Sequence, residues 1–139
     1  MNFENSYQKY VSAKELRDRN ESHHQIRKLI GSIASKFPRD NPEALAWFTA
    51  SLIDDERKWF TAKLLEKVSP VPKSLFDDLV LAALCEPDPS FNKWFIQPCV
   101  KTFGQEQVKA KVLQFASTPK VIENDGVNKI MYWIPRVAV

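Results

Sequence analysis

Apolar residues recur at helical spacing along most of the chain. The clearest stripe contains Ile26, Ile30, Ile33 and Phe37, which lie three or four positions apart and would share one face of a helix. No segment alternates β-branched and polar residues between turn residues, as a half-buried strand does. The chain has three glycines, and its nine prolines fall mostly between the apolar segments. The pattern therefore predicts an all-α protein.

Residues typical of helix ends divide this pattern into segments. Phe3, Tyr7 and Tyr10 at helical spacing predict a short amphipathic helix. Ser12 with Glu15 forms a capping box, which predicts that a longer helix begins there. The helices predicted after the first one cover 12–37, 42–53, 55–68, 74–86, 90–103, 105–117, 118–124 and 126–134.

Further signals set the ends of individual helices. Asn41 followed by Pro42 predicts a helix start, because a capping side chain precedes a proline at the first helical position. Ser74 is predicted to cap the helix that follows the prolines near position 70. Gly104 predicts a helix end in the left-handed conformation, and Pro98 predicts a kink in the helix before it.

A short sequence recurs at a spacing that suits pairs of helices. Lys58-Trp59-Phe60 appears again as Lys93-Trp94-Phe95, 35 residues later, and an apolar helix follows each copy. A period in the mid-thirties with two helices per unit is typical of helical solenoids, in which each pair covers the apolar face of the next. We therefore expect an α-α superhelix of about four stacked antiparallel helix pairs. The expected pairs are 12–37 with 42–53, 55–68 with 74–86, 90–103 with 105–117, and 118–124 with 126–134.

Over residues 41–117 the chain resembles the HEAT and armadillo class of α-α superhelix proteins. The resemblance depends on Pro98 inside the first helix of a pair, the short turn at Gly104, and the acidic linker residues Asp55 and Asp88. The regular Arg or Lys late in the second helix of a HEAT repeat has no counterpart here, so an irregular helical bundle is the alternative. The resemblance implies a scaffold or binding role and brings no catalytic residue.

The length of 139 residues fits one domain. We expect residues 1–139 to form a single helical-repeat domain, with 1–25 as a polar N-terminal adjunct and 26–134 as its core. No apolar segment is long enough to span a membrane, and the N-terminus does not resemble a signal peptide. Cys85 and Cys99 lie in apolar segments, where a free thiol acts as a small core residue. These features predict a cytoplasmic protein.

Three clusters of titratable residues are candidates for chemistry. His23 and His24 are adjacent, so on a helix their rings point about 100° apart and cannot converge on one metal ion. Asp54-Asp55-Glu56 and Asp77-Asp78 open predicted helices, where carboxylates stabilise the positive end of the helix dipole. The sequence contains no nucleotide-binding loop, zinc-ligand spacing or nucleophile motif. We therefore expect no enzyme, no cofactor and no metal site.

A binding surface is predicted on the second helices of the pairs, which line the concave face of a solenoid. In the repeat, Asp77 and Leu81 correspond to Lys109 and Leu113, and these four residues form the predicted partner-binding site. They predict a non-catalytic scaffold that binds a protein or a peptide. The alternative is a nucleic-acid-binding repeat protein, because residues 1–39 hold eight basic and four acidic side chains and phosphates attract such a surface.

The last predicted helix carries more apolar residues than one buried face covers, and exposed apolar patches mark interfaces. We expect this end to contact a second copy or a partner, or to continue into a longer array. The alternative is that the tail folds back over its own helix. The residues concerned are Val127, Ile130, Met131, Tyr132, Trp133, Ile134, Val137, Ala138 and Val139.

Overall fold

A computed structural model describes residues 2–137 of the chain. These residues form helices and no strand, which confirms the all-α prediction. The stacking of helix pairs into a superhelix stays a prediction. The helices are α1 (Phe3–Lys14), α2 (Arg19–Ser35), α3 (Pro42–Ser51), α4 (Lys58–Glu66), α5 (Phe76–Cys85), α6 (Lys93–Phe103), α7 (Gln105–Gln114), α8 (Pro119–Asn124) and α9 (Gly126–Trp133), with short 3-10 turns at Lys73–Leu75 and Ile134–Arg136.

The predicted long helix over 12–37 is wrong, because two helices occupy this stretch. α1 continues through Ser12, and α2 begins only after Asp18. The Asp18 carboxylate accepts hydrogen bonds from the backbone N–H groups of Asn20 and Glu21, at 3.0 and 3.1 Å. Such a cap satisfies N–H groups that have no partner inside the helix. The new helix therefore starts at Asp18 and not at the Ser12 capping box.

Of the other predicted helix ends, the one at Asn41 is confirmed, whereas those at Ser74 and Gly104 differ from the prediction. The Asn41 side chain accepts hydrogen bonds from the backbone N–H groups of Glu43 and Ala44, at 3.0 and 3.2 Å, which confirms that start. Ser74 lies in a 3-10 turn, and α5 begins without a side-chain cap. Gly104 has the positive φ that was predicted, 86°, but its ψ of 157° lies outside the left-handed helical region. It ends α6 and precedes α7 directly.

The chain divides into two compact units, Met1–Val68 and Ser69–Val139. The division falls at the end of the predicted helix 55–68, before the helix predicted over 74–86. It separates the second predicted helix pair, 55–68 with 74–86, because α4 belongs to the first unit and α5 to the second.

The core of the first unit is rich in aromatic side chains. α1 packs on α2, and both α2 and α3 pack on α4. Phe48 and Phe60 are fully buried, and the ring centroids lie 4.8 Å apart for Phe3 and Phe48 and 5.4 Å apart for Tyr10 and Phe60. α1 therefore contributes to the core, although it lies within residues 1–25, the stretch expected to be a polar adjunct.

The second unit is built around α5, against which α6, α7, α8 and α9 pack. Leu79 and Leu84 of this helix have no exposed surface. The Asn124 side-chain amide donates hydrogen bonds to the carbonyl oxygens of Leu84 and Glu86, at 2.8 and 2.9 Å. A Cβ on Gly126 would overlap the Leu84 backbone. The start of α9 therefore packs directly on the end of α5.

Two of the seven described apolar residues near the C-terminus are buried inside the second unit, four are half-buried and one is exposed. Ile130 and Ile134 are fully buried, whereas Tyr132 is 52% exposed. Ala138 and Val139 lie outside the described residues. Self-association through this end stays a prediction. The half-buried residues of the set are Val127, Met131, Trp133 and Val137.

Candidate binding surfaces

The predicted partner-binding residues lie on α5 and α7, which pack on each other within the second unit. Asp77 and Leu81 lie on one flank of α5, and Lys109 and Leu113 lie on one flank of α7, because residues four positions apart are neighbours on a helix surface. Asp77 is exposed, Leu81 and Lys109 are half-buried, and Leu113 is 61% exposed. Leu113 is thus the most accessible apolar residue of the set.

The structure does not connect these four residues through polar contacts. The Asp77 carboxylate pairs with Lys111, with 2.9 Å between Oδ1 and Nζ. The Nζ of Lys109 lies 3.9 Å from the Oε1 of Glu106 on the same helix. Lys111 is about 200° around α7 from both Lys109 and Leu113. The α5 carboxylate therefore contacts a different flank of α7 from the one that was predicted.

A groove between α2 and α4 in the first unit is the strongest candidate for a binding surface. α2 contributes residues spaced three or four positions apart, among them Ile26, Ile30 and Ala34, which therefore share one helix face. α4 contributes Lys63, and Lys67, which follows the last residue of α4, lines the groove beside it. The groove has a volume of about 620 Å³, within the range of roughly 300–1,000 Å³ that is usual for ligand pockets.

The apolar side of this groove remains partly open. Ile30 is 3% exposed and belongs to the core, but Ile26 and Ala34 on the same face are only half-buried. Gly31 lines the groove at the edge of this face and is exposed, and a Cβ added there would meet no atom within 4 Å. Glycine in a helix interior costs about 0.5–1 kcal/mol relative to alanine. Close packing among the described residues therefore does not explain a glycine at this position.

Positive charge surrounds the groove. Arg27 lies on the α2 side and Lys63 and Lys67 lie on the α4 side, while Glu66 is the acidic residue that lines it. Arg27, Lys63 and Lys67 form no ion pair with any described residue. The groove thus combines an apolar floor with three cations that have no acidic partner in the described chain.

The apolar stripe along α2 does not by itself predict this groove. The helical spacing of Ile26, Ile30 and Ala34 is visible in the sequence, and so is a glycine inside a helix. What the sequence does not show is that α4 covers only part of this face. Gly31 was the available signal, since an interior helical glycine usually has a packing or functional reason.

An ion pair in the first unit holds α1 against the start of α4. Arg57, just before α4, forms two hydrogen bonds to the Glu4 carboxylate of α1, at 3.0 and 2.7 Å, and its guanidinium lies 4.7 Å from the Tyr7 ring centroid. The bonds from Arg57, and a further one from Gln8, lower the pKa of Glu4 from 4.5 to about 2. The pair ties α1 to the start of α4.

A smaller cleft in the second unit is lined by aromatic and basic side chains. The Lys93 ammonium lies 5.0 Å from the Trp94 ring centroid and 5.1 Å from the Trp133 ring centroid. The Trp133 indole N–H donates to the Pro89 carbonyl oxygen at 3.2 Å, and Lys129 donates to the Pro87 carbonyl oxygen at 3.2 Å. These polar groups already have partners within the unit, so the cleft of about 410 Å³ is a weaker candidate than the groove.

The other titratable clusters have local explanations. Asp54 accepts hydrogen bonds from the backbone N–H groups of Arg57 and Glu56, and these bonds lower the pKa of Asp54. Complete burial raises the pKa of the Cys99 thiol well above its ordinary value. His23 and His24 are exposed, and the described residues include no group of three or more His, Cys, Asp or Glu side chains placed to hold a metal ion.

Residues 2–137 include no helix of the length and apolar character that crossing a bilayer requires. Comparisons with protein-family models, with curated proteins and with solved structures found no match to this chain.

Proposed function

We propose that this chain is a non-catalytic protein-interaction domain that binds a segment of a partner protein in the groove between α2 and α4. The observation that supports the proposal is the open apolar floor at Ile26, Gly31 and Ala34. Protein binding grooves characteristically place apolar surface at the centre and polar groups at the rim, which is the distribution of residues here. The scaffold role expected from the sequence is kept, and the binding surface is moved from α5 and α7 to the first unit.

A library of random peptides tests this proposal. Peptides about 16 residues long suffice, since a helix of that length spans about 24 Å, and they would be selected on the wild-type protein. We expect selected peptides to bind the wild type and to lose binding to Gly31→Leu, whose new side chain fills the groove without introducing a helix breaker. If no peptide is selected, or if selected peptides bind the variant equally well, the groove is not the binding surface.

Nucleic-acid binding is the competing function, and the cations around the groove are the observation in its favour. Phosphate contacts give an affinity that falls steeply with salt concentration. Against this function, the groove floor consists of aliphatic side chains, which do not stack on bases as aromatic platforms do. Titration of duplex and single-stranded DNA at low salt separates the two functions. Nucleic-acid binding is favoured if the chain binds DNA tightly and two variants differ in effect. Lys63→Glu with Lys67→Glu should then abolish the binding, and Gly31→Leu should leave it unchanged.

A further inference from the structure

We infer that the partner segment is an acidic amphipathic α-helix that lies along the groove between α2 and α4, with its apolar face on the floor and its carboxylates toward Arg27, Lys63 and Lys67. This inference rests on the proposed function and specifies the class of partner. It follows from three properties of the groove: its charge, its length and the missing side chain at Gly31.

The positive charge around the groove favours a negatively charged partner segment. Arg27, Lys63 and Lys67 lie on both sides of the floor and have no ion-pair partner among the described residues, while Glu66 supplies one opposing charge. A basic partner would place like charges together, which costs free energy, whereas an acidic one supplies the missing counter-charges. The groove therefore favours a partner segment that has an apolar stripe with carboxylates beside it.

The length of the groove suits a helix. The lining residues of α2 extend from His23 to Ser35, a rise of about 18 Å or roughly three helical turns. A helix bound in a groove inserts apolar side chains at i, i+3 or i+4, and i+7. The absent side chain of Gly31 lets a partner side chain or backbone approach α2 closely, which is a known use of glycine. The exposed position 31 thus leaves room for an occupant from outside the chain.

Two matched synthetic peptides test the inference. Each is about 16 residues long, with leucines at helical spacing on one face. The first carries glutamates on its other face, and the second carries lysines at the same positions. Fluorescence anisotropy of the labelled peptides with the full chain, at physiological salt, measures both affinities. We expect the acidic peptide to bind at least about tenfold more tightly than the basic one, as like-charge contacts disfavour the wrong partner.

Two charge-reversal variants show whether the binding is local to the groove. Lys63→Glu with Lys67→Glu removes the α4 cations. Lys9→Glu with Arg17→Glu makes the same change in net charge at two exposed positions that do not line this groove. We expect the first pair to weaken binding of the acidic peptide by about tenfold or more and the second pair by less than about threefold, since exposed charges away from the groove are largely screened. Equal losses would show general attraction to a basic chain and would overturn the inference.

Variants at Gly31 separate the two proposals. Gly31→Leu should remove binding of the acidic peptide, and Gly31→Ala should weaken it while the chain remains folded by circular dichroism. If both peptides bind the wild type equally and Gly31→Leu removes both, the groove binds helices without charge selection; this inference is then wrong and the proposed function holds. If neither peptide binds, this inference is wrong, and the random-peptide selection decides the proposed function independently.

Discussion

At the scale of single residues, two glycines show how the space around a position determines what a glycine there does for stability. A Cβ at Gly31 would meet no atom within 4 Å, whereas a Cβ at Gly126 would overlap the backbone of Leu84. Gly31 therefore weakens α2 without improving any packing inside the chain. Gly126 allows α9 to begin directly against the end of α5 and belongs to the core.

The same substitution at these two positions should change stability in opposite directions. Gly31→Ala is expected to raise the free energy of unfolding by about 0.5–1 kcal/mol, because alanine is the better helix former. Gly126→Ala is expected to lower it by about 1–3 kcal/mol, because the added methyl group forces packed backbone apart. Urea denaturation of the two variants and the wild type measures both changes. Stabilisation by Gly126→Ala would contradict the close packing of α9 on α5.

The ion pair of Glu4 with Arg57 should make stability depend on pH in acid. The folded state lowers the pKa of Glu4 from 4.5 to about 2, so the pair stabilises the fold fully above pH 4.5 and progressively less as the pH falls toward 2. We expect the stability difference between the wild type and Glu4→Gln to be constant from pH 5 to 7 and to vanish near pH 2. Thermal unfolding across this range measures it.

Glu15→Gln is the matched control for this prediction. Glu15 is exposed and forms no ion pair with a described residue. Its replacement removes the same charge as Glu4→Gln without breaking an ion pair of the described residues. If Glu4→Gln behaves in the same way as Glu15→Gln, the ion pair does not contribute to stability.

At the scale of helices, the sequence predicts most elements well and their ends less well. Asn41 was identified correctly because its capping hydrogen bonds join neighbours in sequence. The break between α1 and α2 was missed because Ser12 and Asp18 both resemble caps, and tertiary packing of α1 decides between them. The bonds of Arg57 to Glu4 span 53 residues, so no local pattern predicts them.

Removing each of the two competing caps tests which one starts α2. Asp18→Ala is expected to lower the free energy of unfolding by about 0.5–2 kcal/mol, because it leaves the N–H groups of Asn20 and Glu21 without their cap. Ser12→Ala is expected to cost nothing, because Ser12 is an exposed residue inside α1 and alanine has the higher helix propensity. Urea denaturation followed by circular dichroism compares the variants. A larger loss for Ser12→Ala would restore the capping box as the helix start.

At the scale of the whole molecule, the helical class followed from hydrophobic spacing, but the candidate binding surface did not. Spacing shows which residues share a helix face, and Ile26, Ile30 and Ala34 do share one. It does not show which neighbour covers that face, and this depends on packing between α2 and α4. The site predicted on α5 and α7 depends on matching the two copies of the repeat. Such a match does not show which side chains meet, and so it does not predict the contact of Asp77 with Lys111.

The two compact units lead to a prediction about how the chain opens. Regions with their own internal contacts often open as separate cooperative units in native-state hydrogen exchange. Leu64 in the first unit and Leu79 in the second are both fully buried, and replacing a buried leucine by alanine costs about 2–5 kcal/mol. We expect Leu64→Ala to accelerate amide exchange in α2 and α4 while α5 and α6 exchange as in the wild type, and Leu79→Ala to have the reverse effect. Amide exchange followed residue by residue by NMR measures this. If either variant accelerates exchange by the same factor throughout the chain, residues 1–139 open as one cooperative domain and the two units are not separate in stability.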